Sequence, residues 1–98
     1  MYLVTFGKLA VKDKILLKQA GLERKAKDQL NILMSDPFQS PPPYEKLIGN
    51  LDSYYSRRIN IQHRLIYKVE KNNVALLDSN GKEYEGIVYV KRMWTHCQ

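Results

Sequence analysis

Two separated blocks of this 98-residue sequence collect the side chains that grip phosphate and move protons. The first runs Tyr54-Tyr55-Ser56-Arg57-Arg58-Ile59-Asn60-Ile61-Gln62-His63-Arg64-Leu65-Ile66-Tyr67, and the second is Arg92-Met93-Trp94-Thr95-His96 near the C-terminal end. One carboxylate, Glu45, lies just ahead of the first block. Arginine offers phosphate a planar bidentate fork, which lysine does not, and aromatic rings offer faces to bases. Cutting RNA without a metal needs three things: a base for the ribose 2′-hydroxyl, cations for the charge that builds at phosphorus, and an acid for the departing 5′ oxygen. Each positioned proton-transfer group contributes roughly a hundred- to ten-thousandfold, and fixed cations act on a comparable scale once water is excluded. Glu45 and the two blocks contain candidates for all three. A metal has no carboxylate cluster to sit in, because Glu83 and Glu85 flank a predicted turn and read as solvent-facing.

Each of these residues also has a plainer reading. Glu45 alone is a surface carboxylate beside Lys46, and His96 is a near-terminal histidine of the kind that is usually just exposed. His63 alternates with Leu65 and Tyr67, as a hydrogen-bonded packing residue would. Arg57 and Arg58 point to opposite faces of a strand, so one faces a given ligand and the other pairs with a carboxylate. Tyr54, Tyr55 and Tyr67 fit a core. Trp94 either stacks on a base, worth about 1–3 kcal/mol, or anchors the last strand. Cys97 is a bystander. Residue by residue, the pattern supports a small basic domain with a capacity for RNA and nothing sharper.

Composition bounds the rest. The length suits one domain, residues 1–98, with a thin core. A hydrophobic content of 44% excludes a disordered chain. No apolar run is long enough for a membrane span, and Tyr2 to Phe6 is too short for the core of a signal peptide, so the expected location is the cytoplasm. A single cysteine excludes an intrachain disulfide and a cysteine-built zinc site. The net charge of +6 favours an anionic partner. Of the five arginines, Arg57, Arg58, Arg64 and Arg92 all lie in the second half beside aromatics.

The elements that must position these groups follow from periodicity. Tyr2 to Phe6 reads as a strand ended by Gly7. Lys8 to Ala20 reads as a helix carrying Leu9, Ile15, Leu16 and Leu17, with Gly21 as its stop. A second helix fits Leu22 to Met34, with Leu22, Ala26, Leu30 and Leu33 on one face. Asp36-Pro37 ends it, and Pro41-Pro42-Pro43 makes a stiff connector to Tyr44-Glu45-Lys46-Leu47. Strands are predicted over Tyr54 to Ile61, Gln62 to Glu70, Val74 to Asp78 and Tyr84 to Trp94. Asn72-Asn73 and Asn80-Gly81 are turns, and Gly86 marks a bulge. One strand, two helices and an antiparallel meander give an α+β fold.

The motifs Glu45-Lys46-Leu47, Asn50-Leu51, Tyr55-Ser56-Arg57-Arg58-Ile59, His63-Arg64-Leu65-Ile66-Tyr67 and Arg92-Met93-Trp94-Thr95-His96 resemble the Txe/YoeB family of bacterial toxins, within the RelE/ParE superfamily. The likeness is strongest from Pro43 to Tyr67 and at the tail. It implies a RelE-like fold, two N-terminal helices on a twisted antiparallel sheet. It implies a metal-independent endoribonuclease, without cofactor, that cuts messenger RNA in the ribosomal decoding site. Carried over by position, Glu45 is the general base, Arg64 stabilises charge on the scissile phosphate and His96 is the general acid. Arg58 supports phosphate or ribosomal RNA contact, and Lys46, Lys91 and Trp94 are further RNA-binding candidates. The implied partners are a YefM/Axe-like antitoxin, the ribosome and its message, operator DNA only through the antitoxin, and a second copy in a homodimer, with no membrane. This chain has Cys97 where the family usually has tyrosine, and Ile48 where relatives often have lysine. Other members of the superfamily inhibit DNA gyrase, and a catalytically weakened RNA- or antitoxin-binding relative is the remaining alternative.

Overall fold

The computed structural model describes residues 1–49, 53–71 and 76–94. Its elements are β1 (Leu3–Phe6), α1 (Lys8–Gln19), α2 (Glu23–Ser35), β2 (Tyr44–Lys46), β3 (Tyr55–Arg58), β4 (Arg64–Lys71) and β5 (Gly86–Arg92). The strands form one sheet in the order β1-β5-β4-β3-β2. All neighbours are antiparallel except β1 and β5, which run parallel. The helix pair therefore carries the chain from one edge of the sheet to the other. The expected α+β architecture is the observed one. Among the described residues no helix is long and apolar enough to cross a membrane.

The helix junction is built by Gly21, whose φ of +74° suits a residue without a side chain. The Gly21 N–H donates to the Lys18 carbonyl and the Leu22 N–H to the Leu17 carbonyl, which closes the last turn of α1. On α2 the predicted face packs inward: Ala26 and Leu33 are buried, and Leu22 and Leu30 lean on the core. On α1 it does not. Leu9, Ile15 and Leu16 are exposed, and the inward stripe is Ala10, Asp13 and Leu17. The spacing of three and four is regular, but a carboxylate in the middle of the stripe hides it from a hydrophobicity pattern. The helices cover the sheet face that carries Leu65, Tyr67, Val88 and Val90, all fully buried.

The second half differs from expectation at its joints. β3 and β4 stop short of each other, because the Asn60 side-chain oxygen accepts the N–H groups of Gln62 and His63 at 2.9 and 2.7 Å and turns the chain over 59–63. Of the strand expected over Val74 to Asp78, the described part, residues 76–78, makes an isolated bridge from Leu77 to Glu83, and Val74 and the Asn72-Asn73 turn lie outside the described residues. The Asn80-Gly81 turn forms, with the Asp78 carboxylate accepting the Asn80 and Lys82 N–H groups at 2.8 Å. Gly86 is not a bulge. It pairs in register with Lys71, and a Cβ there would lie 2.5 Å from the Glu70 carbonyl oxygen and 3.1 Å from the Tyr2 ring. The register shift falls at Ile66/Tyr67 instead, which leaves Lys91 as the extra residue on β5.

Candidate active site

The approach to Glu45 is held from beneath by Arg57. Arg57 is 1% exposed, and among the described residues its guanidinium meets no carboxylate, unlike the pairing expected of the inward arginine. Its Nη1 donates to the Pro42 carbonyl at 2.9 Å, and its Nη2 to the Pro37 and Gln39 carbonyls at 3.0 and 2.6 Å. Its Nε donates to the Tyr67 hydroxyl at 3.2 Å, which itself donates to the Pro37 carbonyl at 2.8 Å. The Tyr44 ring lies 5.1 Å from the guanidinium carbon. A buried charge is tolerable only when its donors are satisfied. Here the backbone of the proline loop satisfies them, and the loop is pinned in return. Phe38, Tyr44 and Tyr55 pack against one another in tilted and edge-to-face contacts around it, with ring centroids 5.2–5.9 Å apart.

Burial pushes the Tyr67 hydroxyl up from 10.0 to about 12, with the neighbouring Arg57 pulling the other way. The fold therefore favours the protonated phenol. That contribution is complete below the unfolded value of 10.0 and is lost as pH rises through about 12. We expect the difference in phenolate absorbance between wild type and Tyr67→Phe to titrate near 12, and urea-unfolding stability to fall more steeply across that window in wild type than in the variant. A difference curve centred near 10 would contradict this placement of the hydroxyl.

Strand alternation sends Tyr55 and Arg57 toward the helices and Ser56 and Arg58 to the open face. Glu45 pairs with Ser56, Ser56 with Ile66, and Arg58 with Arg64, so Glu45, Ser56, Arg58 and Arg64 share that face. Arg64 Nη1 donates to Glu45 Oε2 at 3.3 Å and to Ser56 Oγ at 3.1 Å. The Arg64 side chain is 13% exposed and that of Glu45 63%, so the arginine is held while the carboxylate stays reachable. Arg58 is exposed and makes no ion pair among the described residues. Two arginines on one rung repel unless an anion lies between them, which makes this rung a natural seat for phosphate. Lys46 takes the other face by the same alternation, so it does not join Glu45. Lys91 and Lys68 both approach the Tyr54 ring, at 5.5 and 5.8 Å, extending the basic and aromatic surface.

At the tail the Trp94 ring stacks on His63 at 3.7 Å and 20°, and His63 is buried as a packing residue. One face of Trp94 is thus already occupied. His96 and Cys97 lie outside the described residues. Sequence reasoning missed Ser56, whose signal was its place two residues from Arg58 on the same strand face. It also missed Asp13, the buried partner of Arg92 at 2.9 Å. Among the described residues no group of three or more His, Cys, Asp or Glu side chains is placed to hold a metal ion.

Residues 11–82 match the family model described as "YoeB-like toxin of bacterial type II toxin-antitoxin system". The chain is 38% identical over 65 residues to a Toxin YoeB of Synechocystis, an alignment covering 66% of this chain and 69% of that one. In structure it is similar to a YoeB/ParE toxin from Agrobacterium tumefaciens, with a TM-score of 0.76 over 97% of this chain and 99% of the other at 21% identity. It is also similar to a chain of a YoeB–YefM complex from Staphylococcus aureus, with a TM-score of 0.68 over 99% of both chains at 26% identity.

Proposed function

The chain belongs to the YoeB-like toxins of bacterial type II toxin–antitoxin systems, and on that premise we propose that it is a ribosome-dependent endoribonuclease that cuts messenger RNA without a metal. Glu45 takes the proton from a ribose 2′-hydroxyl, and the 2′ oxygen attacks the adjacent phosphorus. Arg64, with Arg58 beside it, stabilises the charge that builds there. The bond from phosphorus to the 5′ oxygen breaks, and His96 donates a proton to the leaving oxygen. The products are a 2′,3′-cyclic phosphate and a 5′-hydroxyl. Lys91 lies on the same basic surface and would contact RNA, a place that exposed Ile48 cannot serve.

The observation that carries this reading is the Glu45–Arg64–Ser56 cluster, in which a reachable carboxylate stands 3.3 Å from an oriented guanidinium opposite a second arginine. The expected partner is a YefM-like antitoxin, supported by the similarity to a chain of the S. aureus YoeB–YefM complex. Leu9, Val11, Ile15 and Leu16 leave apolar surface on α1 in water, and a partner chain would cover it.

The test is expression without antitoxin, followed by primer-extension mapping on translated and untranslated copies of one transcript. The proposal expects growth arrest and in-frame cuts confined to the translated copy. Arrest with intact transcripts would refute the nuclease reading and favour gyrase inhibition or a binding role.

A further inference from the structure

Asp13 sits in the inward stripe of α1, 3% exposed, where a packing position would hold an apolar residue. Its partners lie 79–81 residues away. Oδ2 accepts the Arg92 Nε–H at 2.9 Å and the backbone N–H groups of Met93 and Trp94 at 2.9 and 3.2 Å. Oδ1 accepts from Arg92 Nη2 at 3.4 Å. One carboxylate thus holds three successive residues at the end of β5. Burying a charge is costly, and an apolar residue of similar volume often serves stability as well or better. What the carboxylate supplies here is direction: it fixes two backbone N–H groups at the point where the strand ends.

A second contact ties the same point to the arginine site. Trp94 stacks on His63, the residue immediately before Arg64. The chain therefore leaves β5 between a helix carboxylate and the start of the strand that carries Arg64. We propose that Asp13 is a positioning residue, setting where and in which direction the tail leaves the sheet so that His96, two residues beyond Trp94, is delivered to the scissile phosphate. This rests on the nuclease reading above and adds to it a residue of the helix layer that touches no substrate.

Asp13→Asn keeps shape and volume, but its amide has one acceptor oxygen and no charge for Arg92. The variant should melt cooperatively. Its Trp94 emission, from the sole tryptophan of the chain, should shift to the red and become accessible to a neutral quencher. Its kcat on translating ribosomes should fall on the order of a hundredfold, as expected when a reacting group is misplaced by about 1 Å, with KM unchanged. In a His96→Gln background the same substitution should cause no further loss, because both changes act through one group. A folded Asp13→Asn protein with wild-type kcat overturns the proposal, and so does an equal loss in both backgrounds. If Asp13→Asn does not fold, Asp13→Glu takes its place under the same criteria, since it keeps the charge for Arg92 but moves the carboxylate off the two backbone N–H groups by one methylene. If His96→Gln itself cleaves at the wild-type rate, the acid assignment fails instead, and Trp94 emission alone decides whether the tail is clamped.

Discussion

Glu45→Gln lowers single-turnover cleavage on translating ribosomes by about a hundred- to ten-thousandfold, the range typical of a lost general base, or roughly 3–5 kcal/mol of barrier. Glutamine fills the same space and can still accept the Arg64 hydrogen bond, but it cannot take a proton. Folding should hardly notice. The Glu45–Arg64 pair has one well-exposed partner, and such pairs contribute about 0–1 kcal/mol. The expected signature is thus a catalytic collapse with unchanged urea unfolding. Arg64→Gln should also lose cleavage, on the order of a hundred- to a thousandfold for one oriented donor, and combining the two should cost less than the product of the single losses, because they serve one step. Wild-type cleavage by Glu45→Gln would remove the base from the mechanism, whatever happens to growth.

At the level of sequence, only the family resemblance brings Glu45 and Arg64 together, because the stretch around Glu45 follows a proline connector and shows no strand alternation of its own. What stayed hidden was how Glu45 gets there. β2 is three residues long, Tyr44–Lys46, too short to show a period of two, and only its pairing with β3 reveals it as a strand. The proline run signalled a stiff connector but not what fixes it. Arg57 fixes it through backbone carbonyls, and carbonyls leave no mark on a sequence; an arginine without a carboxylate nearby reads as a ligand contact. Asp13 was invisible for the opposite reason. Its partners are unmistakable in space, but they lie at the far end of the chain, and a carboxylate among Lys12, Lys14 and Lys18 looks solvated. The helix stripe of α2 was legible because its inward residues are all apolar. Gly86 was read as a bulge because glycine in a strand has two common causes, and only the approach of the Tyr2 ring and the Glu70 carbonyl shows which one applies.

Arg57→Met should have the largest effect on stability, about 3–5 kcal/mol. The guanidinium serves the Pro37, Gln39 and Pro42 carbonyls together with the Tyr67 hydroxyl. Methionine fills the stem's volume and satisfies none of them. A buried acceptor stripped of its donor costs about 1–3 kcal/mol, less where the loop relaxes toward water, as the half-exposed Pro42 end can. A small domain has only about 5–15 kcal/mol in hand, so the urea midpoint should drop steeply. Arg57→Lys tests geometry against charge: an ammonium keeps the charge but not the rigid fork, so most of the loss should remain. The effect should also reach catalysis in the protein that stays folded, because the loop leads directly into Glu45. Cleavage measured at low temperature should fall even when the folded fraction is corrected for. This separates the two arginines of the Arg57-Arg58 pair by their signatures. Arg58, exposed on the substrate face, should lower cleavage without touching stability, whereas Arg57, buried on the opposite face, should lower both. An Arg57→Met protein within about 1 kcal/mol of wild type, below even a single orphaned carbonyl, would show that the loop holds Glu45 without this anchor.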